Sequence, residues 1–162
     1  MKKKFIFIWI MVLLVTMITS CKQNTSNDSL VEPTITDSNE EINMNRLKIE
    51  INGTELYAQL ANNSATEALK ELLRNDSLEI NMNDYGGFEK VGSFGVSLPT
   101  SDTYIKTTVG DIMLYQGNSI VIFYDSNSWD YTRIGKIEGV NKEQLIEIFG
   151  KGSVTITLSL AN

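Results

Sequence analysis

The chain has 162 residues, of which 42% are hydrophobic and 21% charged, so it can build a core and fits one domain with a tail. Its formal net charge is −6, which excludes a strongly basic nucleic-acid binder, because phosphate contacts require clustered lysine and arginine. The sequence has no histidine and one cysteine, which excludes Ser-His-Asp and Cys-His catalysis, an internal disulfide and a cysteine-rich zinc site. We expect no metal, no cofactor and no nucleic-acid partner.

The first 20 residues have the pattern of a secretion signal. Lys2–Lys4 precede 14 apolar or threonine residues at 5–18, a run shorter than the roughly 20 that a spanning helix needs. It ends in Ile18–Cys21 (ITSC), which resembles a bacterial lipobox. The resemblance implies cleavage before Cys21 and a lipid on its thiol. The alternative is a simple signal anchor with an incidental cysteine.

A lipid on Cys21 predicts a location in the cell envelope, on the extracytoplasmic face of a bacterial membrane. We expect a signal peptide at residues 1–20, the lipidated cysteine with a flexible acidic linker at 21–45, and a folded domain at 46–162. The linker is rich in Asn, Ser, Thr, Asp and Glu and has no aromatic residue. Such a segment cannot bury enough surface to offset its ordering entropy.

The folded part is predicted to be mainly β. Asn52-Gly53 indicates a tight hairpin, because both residue types tolerate positive φ. The nearly all-apolar segment 120–124 is typical of a strand that is covered on both faces. Period-two alternation and short apolar runs between turns predict eight strands, over residues 46–51, 54–60, 78–82, 104–109, 112–115, 120–124, 131–137 and 154–160.

Two short helices carry capping signals. Ser64 and Glu67 form the pattern of a capping box, which predicts a helix over residues 65–74. Asn141 with Gln144 predicts the start of a second helix, and Gly150 its end. The remaining long connections are predicted to be irregular loops, over residues 88–102 and 125–130.

These elements predict a closed eight-stranded β-barrel capped by the two short helices, since closure removes exposed strand edges. The sequence resembles the bacterial cyclophilin-like domain family, which implies the same barrel. The segments that carry the resemblance are LKIEING (47–53), ATEALKELL (65–73), LPT (98–100), GDIMLY (110–115), NSIVIFY (118–124) and YTRIGKI (131–137). Family members occur alone, as lipoproteins or joined to flavodoxin-like domains.

The resemblance leaves two functional alternatives. True cyclophilins are peptidyl-prolyl isomerases, with a strand arginine, a glutamine, aromatic side chains and a histidine or tryptophan around the groove. This chain departs from that pattern, because residues 119–122 contain no glutamine and Arg133 aligns with a different strand from the catalytic arginine. We therefore expect a non-catalytic module that binds an envelope protein, a peptide or a small molecule. The alternative is an isomerase or surface foldase with a site rebuilt around Arg133, Met113 and Phe123.

The candidate ligand-binding residues are mainly aromatic. One group lies near predicted strand ends and either lines a groove or packs in core and rim: Tyr115, Tyr124, Trp129 and Tyr131. A second group flanks or lies in the predicted long loop and either closes over a groove or plugs the barrel mouth: Tyr85, Phe88, Phe94 and Pro99. Arg133 either binds a ligand carboxylate or points outward and pairs with a cross-strand acid.

Overall fold

The computed structural model describes residues 43–161, with side chains from Asn45 onward. The predicted signal peptide, Cys21 and most of the predicted linker lie outside the described residues. The described elements, in chain order, are β1 (Asn43–Ile51), β2 (Thr54–Leu60), α1 (Ser64–Leu73), β3 (Leu78–Tyr85), β4 (Glu89–Ser93), β5 (Thr103–Lys106), β6 (Asp111–Tyr115), β7 (Ser119–Phe123), β8 (Ser128–Ile137), α2 (Lys142–Phe149) and β9 (Val154–Ala161).

Eight strands form a closed antiparallel barrel, in the order β2-β1-β9-β3-β4-β7-β6-β8, with β2 pairing to β8. This confirms the predicted eight-stranded, mainly β barrel. The closing ladder is short, with residues 58–60 opposite 135–137. Gly135 permits this approach, because a Cβ there would lie 2.5 Å from the carbonyl oxygen of Gln59. The fifth strand, β5, pairs with the first part of β8 outside the barrel.

The β1–β2 hairpin follows from its sequence pattern. Leu47, Ile49 and Ile51 alternate into the core and are fully buried. Asn52 and Gly53 adopt φ values of 49° and 79°, the left-handed conformation that a tight hairpin turn requires. β1 begins at Asn43, three residues before the predicted start of the folded domain.

Both helices pack an apolar face on the main core. The capping prediction is wrong by one residue for α1, where Asn63 is the N-cap and Thr66 occupies the third helical position. The Asn63 side chain accepts from the Thr66 amide at 3.0 Å, and the Thr66 hydroxyl accepts from the Asn63 amide at 3.2 Å. The predicted α2 cap, from Asn141 to Gln144, is confirmed, and Gly150 ends that helix. Neither described helix is long and apolar enough to cross a membrane.

The prediction of an irregular loop over residues 88–102 is wrong in its first half. Residues 89–93 form β4, a barrel strand between β3 and β7. The sequence of β4 does not show the alternation of apolar and polar residues typical of a strand, because Glu89 and Lys90 are both charged and both buried. β4 therefore takes the barrel position that the sequence assigns to residues 104–109, whose shorter strand β5 lies outside. The predicted loop over 125–130 is also shorter, because β8 begins at Ser128.

The sheet carries apolar residues on both faces where β6, β7 and β8 meet. Ile112 and Ile122 point into the main core inside the barrel. Alternate residues of the same strands form a separate group on the outer face, here called the outer cluster: Met113, Val121, Phe123 and Tyr131. The outer cluster is the floor of the candidate site.

Candidate functional site

A cleft of about 290 Å³ lies over the outer cluster. It is here called the aromatic cleft, and six residues line it: Tyr85, Glu89, Tyr115, Asn127, Trp129 and Tyr131. They come from the end of β3, the start of β4, the end of β6, the β7–β8 loop and the first half of β8. The cleft is near the lower end of the size range of ligand pockets, about 300–1,000 Å³.

The β3–β4 turn sets one wall of the aromatic cleft. Gly86 and Gly87 both adopt positive φ, 59° and 75°, so that Tyr85 and Glu89 face each other in the ladder. A Cβ on Gly86 would lie 2.1 Å from the ring of Phe88, so any larger residue there would also force that ring to shift. Tyr85 and Phe88 meet edge to face at 6.3 Å, and Tyr85 remains 66% exposed.

Tyr131 connects the floor and the opposite wall. The centroid of its ring lies 5.5 Å from that of Phe123 and 6.0 Å from that of Tyr115. Both contacts are edge to face, an arrangement that aromatic pairs favour. Its hydroxyl accepts a hydrogen bond from the Asn127 side-chain amide at 3.1 Å. Asn127 is fixed in turn by the buried Thr107, whose amide donates to the Asn127 carbonyl at 2.8 Å. Tyr131 is therefore held in place, whereas Trp129 is 56% exposed at the rim.

Glu89 is the unusual member of the aromatic cleft. It is 5% exposed, and its Oε2 atom is buried without a hydrogen-bond partner. Burial raises the pKa of Glu89 to about 7, because an apolar environment disfavours the charged form. Burial, and then the nearby Glu89 charge, raise the pKa of Tyr131 to about 12. Unpartnered buried carboxylates are uncommon in proteins, and perturbed acids of this kind gather at functional sites.

The predicted ligand-binding residues separate into two sets in the structure. Tyr85, Tyr115, Trp129 and Tyr131 line the aromatic cleft, and Phe88 packs against the outer cluster below them. The other three candidates from the two groups, two aromatic residues and a proline, do not line the cleft. Two are buried in the main core, Phe94 and Tyr124, and Pro99 is exposed in the loop that follows β4.

Arg133, Met113 and Phe123 lie on the same outer face but not in the cleft lining. Met113 and Phe123 are fully buried in the outer cluster. Arg133 is half-exposed and pairs with Asp111 of the neighbouring strand β6 at 3.1 Å, the cross-strand pairing that was one of its two predicted roles. Asp111 is buried, and it also accepts from the Thr108 amide at 2.8 Å and pairs with Lys136 at 3.2 Å.

Two residues of the aromatic cleft, Glu89 and Asn127, are absent from the sequence-based candidates. The Gly86-Gly87 turn carries the signal that finds Glu89, because a tight turn after a strand predicts that the chain returns as a strand. Asn127 carries no such signal, since its role depends on Tyr131 and Thr107 meeting in space. Among residues 45–161 no group of three or more acidic or cysteine side chains is placed to hold a metal ion.

Comparison with known proteins identifies the family. The cyclophilin-like family matches residues 49–159, and the chain belongs to this family. Three chains of solved structure match. One is the solution structure of a hypothetical protein from Archaeoglobus fulgidus, with 16% identity and a TM-score of 0.54, covering 72% of this chain and 94% of that one. At this identity the likeness shows the fold alone. No curated protein matches the chain.

Proposed function

We propose that the protein is a lipid-anchored cell-envelope protein whose cyclophilin-like domain binds a ligand in the aromatic cleft without catalysing a reaction. The ligand is a peptide, an extended protein segment or a small molecule. The observation that carries the proposal is the cleft itself, a space of about 290 Å³ lined by four aromatic rings and a buried carboxylate. Apolar walls with a few fixed polar groups are the usual construction of a ligand site.

The buried state of the outer cluster favours binding over isomerase activity. Rotation about a prolyl bond has a barrier of about 18–20 kcal/mol, so an isomerase needs a donor placed beside the twisting amide. Met113 and Phe123 are covered by Tyr131 and its neighbours, and Arg133 is held by Asp111. An isomerisation assay with Xaa-Pro peptides tests the alternative. Catalysis that is lost in Arg133→Ala with the fold retained would establish the isomerase instead.

A peptide selection tests the binding site. Random peptides displayed on phage are selected against the full-length chain, and the selected peptides are then measured against three variants. Trp129→Ala and Tyr85→Ala remove exposed walls of the aromatic cleft, whereas Tyr104→Ala removes a still more exposed ring, 74% accessible, on β5 outside the cleft lining. We expect the two cleft variants to lose roughly tenfold or more in affinity, as loss of an aromatic anchor commonly does. Equal binding by all three variants would contradict the site assignment.

The envelope location rests on the signal-like segment and the lipobox-like tetrapeptide, and it has a separate test. The variant Cys21→Ala, expressed in a bacterium, should lose acyl labelling and membrane fractionation, because its thiol is the predicted lipid attachment point. More than one acyl chain gives stable anchoring, at about 0.8 kcal/mol per buried methylene. A variant that is still cleaved and lipid-labelled would overturn the anchoring proposal and leave the binding proposal unaffected.

A further inference from the structure

We infer that the aromatic cleft takes an organic cation, a protonated amine or a guanidinium, and that Glu89 provides its counter-charge. This inference rests on the proposed binding function and names the chemistry of the ligand. The shared chemistry has two possible sources, a lysine or arginine side chain of a peptide and a free small amine.

The first argument is the unpaired carboxylate. Glu89 is 5% exposed, lines the cleft, and has a buried Oε2 atom without a hydrogen-bond partner. Every ion pair found among residues 45–161 joins other acids to the lysines and arginines, so no described cation neutralises Glu89. A buried negative charge is strongly disfavoured unless it is paired. A cation that enters the cleft supplies the missing partner.

The second argument is the composition of the walls. Tyr85, Tyr115, Trp129 and Tyr131 surround the same space, and tyrosine and tryptophan rings attract cations through their electron-rich faces. Aromatic cages are a known solution for binding organic ammonium groups. A volume of about 290 Å³, near the lower end of the range of ligand pockets, suits one side chain or a small amine.

The third argument is that the charge on Glu89, and with it the attraction of the cleft for a cation, depends on pH. The titratable groups around Glu89 are the phenols of Tyr85, Tyr115, Tyr124 and Tyr131, and the carboxylate of Asp125 beyond β7. Burial is the main cause that raises the pKa of Tyr131 and the pKa of Tyr124 to about 12. A hydrogen bond from Lys142 lowers the pKa of Asp125. The pKa of Glu89 is about 7, so its charge changes between pH 5 and pH 8.

The test uses two cationic probes and their neutral counterparts. The probes are n-butylammonium and a capped Gly-Lys-Gly peptide, and the counterparts are n-butanol and capped Gly-Gln-Gly. The full-length chain carries Trp9→Phe, so that the fluorescence of Trp129 at the cleft rim reports binding. Each probe is titrated at pH 8 and pH 5.5 at matched ionic strength.

We expect the cations to bind at pH 8 and the neutral counterparts to bind weakly. Only the ionised form of Glu89 supplies the counter-charge, and its pKa is about 7. The apparent affinity should therefore fall roughly thirty-fold between pH 8 and pH 5.5, in proportion to the ionised fraction. Glu89→Gln should show a similar loss at pH 8, whereas the control Glu79→Gln, an exposed carboxylate on β3, should bind as the parent does.

Each outcome decides the inference. Tighter binding of the lysine peptide assigns the cation to a peptide side chain, and tighter binding of butylammonium assigns it to a small amine. Failure of both cations to bind, equal binding of the neutral counterparts, or an affinity unchanged in Glu89→Gln and with pH would overturn it. If neutral probes or selected peptides without lysine and arginine bind and still require Trp129, the cation inference fails while the binding function stands. The pH profile of the parent chain decides even if Glu89→Gln does not fold.

Discussion

The substitution Glu89→Gln removes a buried charge but keeps the size of the side chain, so it isolates what ionisation of Glu89 does to the free energy of unfolding. Burial raises the pKa of this group from its ordinary value of 4.5 to about 7 in the folded chain. The folded state then binds the proton more tightly than the unfolded state. The stability that Glu89 contributes is therefore fully present below about pH 4.5 and is lost as the pH rises to 7.

The size of the effect follows from that pKa difference. Each pKa unit corresponds to about 1.36 kcal/mol, so ionisation of Glu89 should cost the folded chain about 3 kcal/mol above pH 7. Glutamine cannot ionise, and the variant should be more stable than the parent by up to that amount at pH 8. Near pH 4.5 the two chains should have nearly equal stability, because the glutamate is then protonated.

The assay is urea denaturation of the full-length chain, followed by circular dichroism, at several pH values between 4.5 and 8. Other carboxylates titrate too, but they are common to both chains and cancel in the difference. Glu79→Gln, which replaces an exposed carboxylate on β3 by the same amide, is the matched control for the substitution itself. If the curves of Glu89→Gln and the parent run parallel, Glu89 is not a buried, uncompensated charge, and the reasoning is refuted.

Four further substitutions test how the barrel is held. Asp111→Ala should lower the free energy of unfolding by about 2 kcal/mol, because it removes a buried hydrogen-bond acceptor. Arg133→Met should lower it by less than about 1 kcal/mol, because Arg133 is the half-exposed partner of the same ion pair. Urea denaturation of the two variants measures the difference. Lys90→Met should cost about 2 kcal/mol, since Lys90 is fully buried and pairs with Asp84 at 2.9 Å. In the same variant, carbon NMR should find a higher pKa for Asp84, because burial raises that pKa and hydrogen bonds, with Lys90 the largest, hold it below its ordinary value. Gly135→Ala should cost about 1–3 kcal/mol by overpacking against the facing carbonyl of β2, and an unchanged melting temperature would contradict the described barrel closure.

The fold was largely accessible from sequence because its strands obey local rules. The hairpin at Asn52-Gly53 and the cap at Asn141 depend on residues within a few positions of one another, and both are confirmed. β4 is not predicted from the sequence, because two of its residues, Glu89 and Lys90, are charged and buried. Alternation of apolar residues does not recognise a strand that buries charged side chains. Lys90 is stabilised by Asp84 and by the carbonyl of Gly152, 62 residues away, and such a partner is invisible to any local pattern.

The candidate site was accessible only in part. The sequence predicts the aromatic residues near strand ends only as a group with two possible roles, because a large ring at a strand end either packs or binds. The sequence alone does not decide which of these rings pack in the core and which line a cleft. Tyr124 points inward and contacts Phe149, whereas Tyr131 points outward and contacts Phe123. Successive side chains of a strand point to opposite faces of the sheet, so a shift of one residue decides which face a ring occupies. The carboxylate of Glu89 acquires its chemistry entirely from burial, which no spacing of residues encodes.

The position of β9 determines when the domain can fold. This last described strand lies between β1 and β3, so the first strand has its second partner only after residues 154–161 are present. A chain that is still being synthesised can therefore pair β1 with β2, but it cannot join β1 to β3 through β9 before its last described strand is present. Contacts between segments more than a hundred residues apart also make folding slow, because loop closure precedes any gain from pairing.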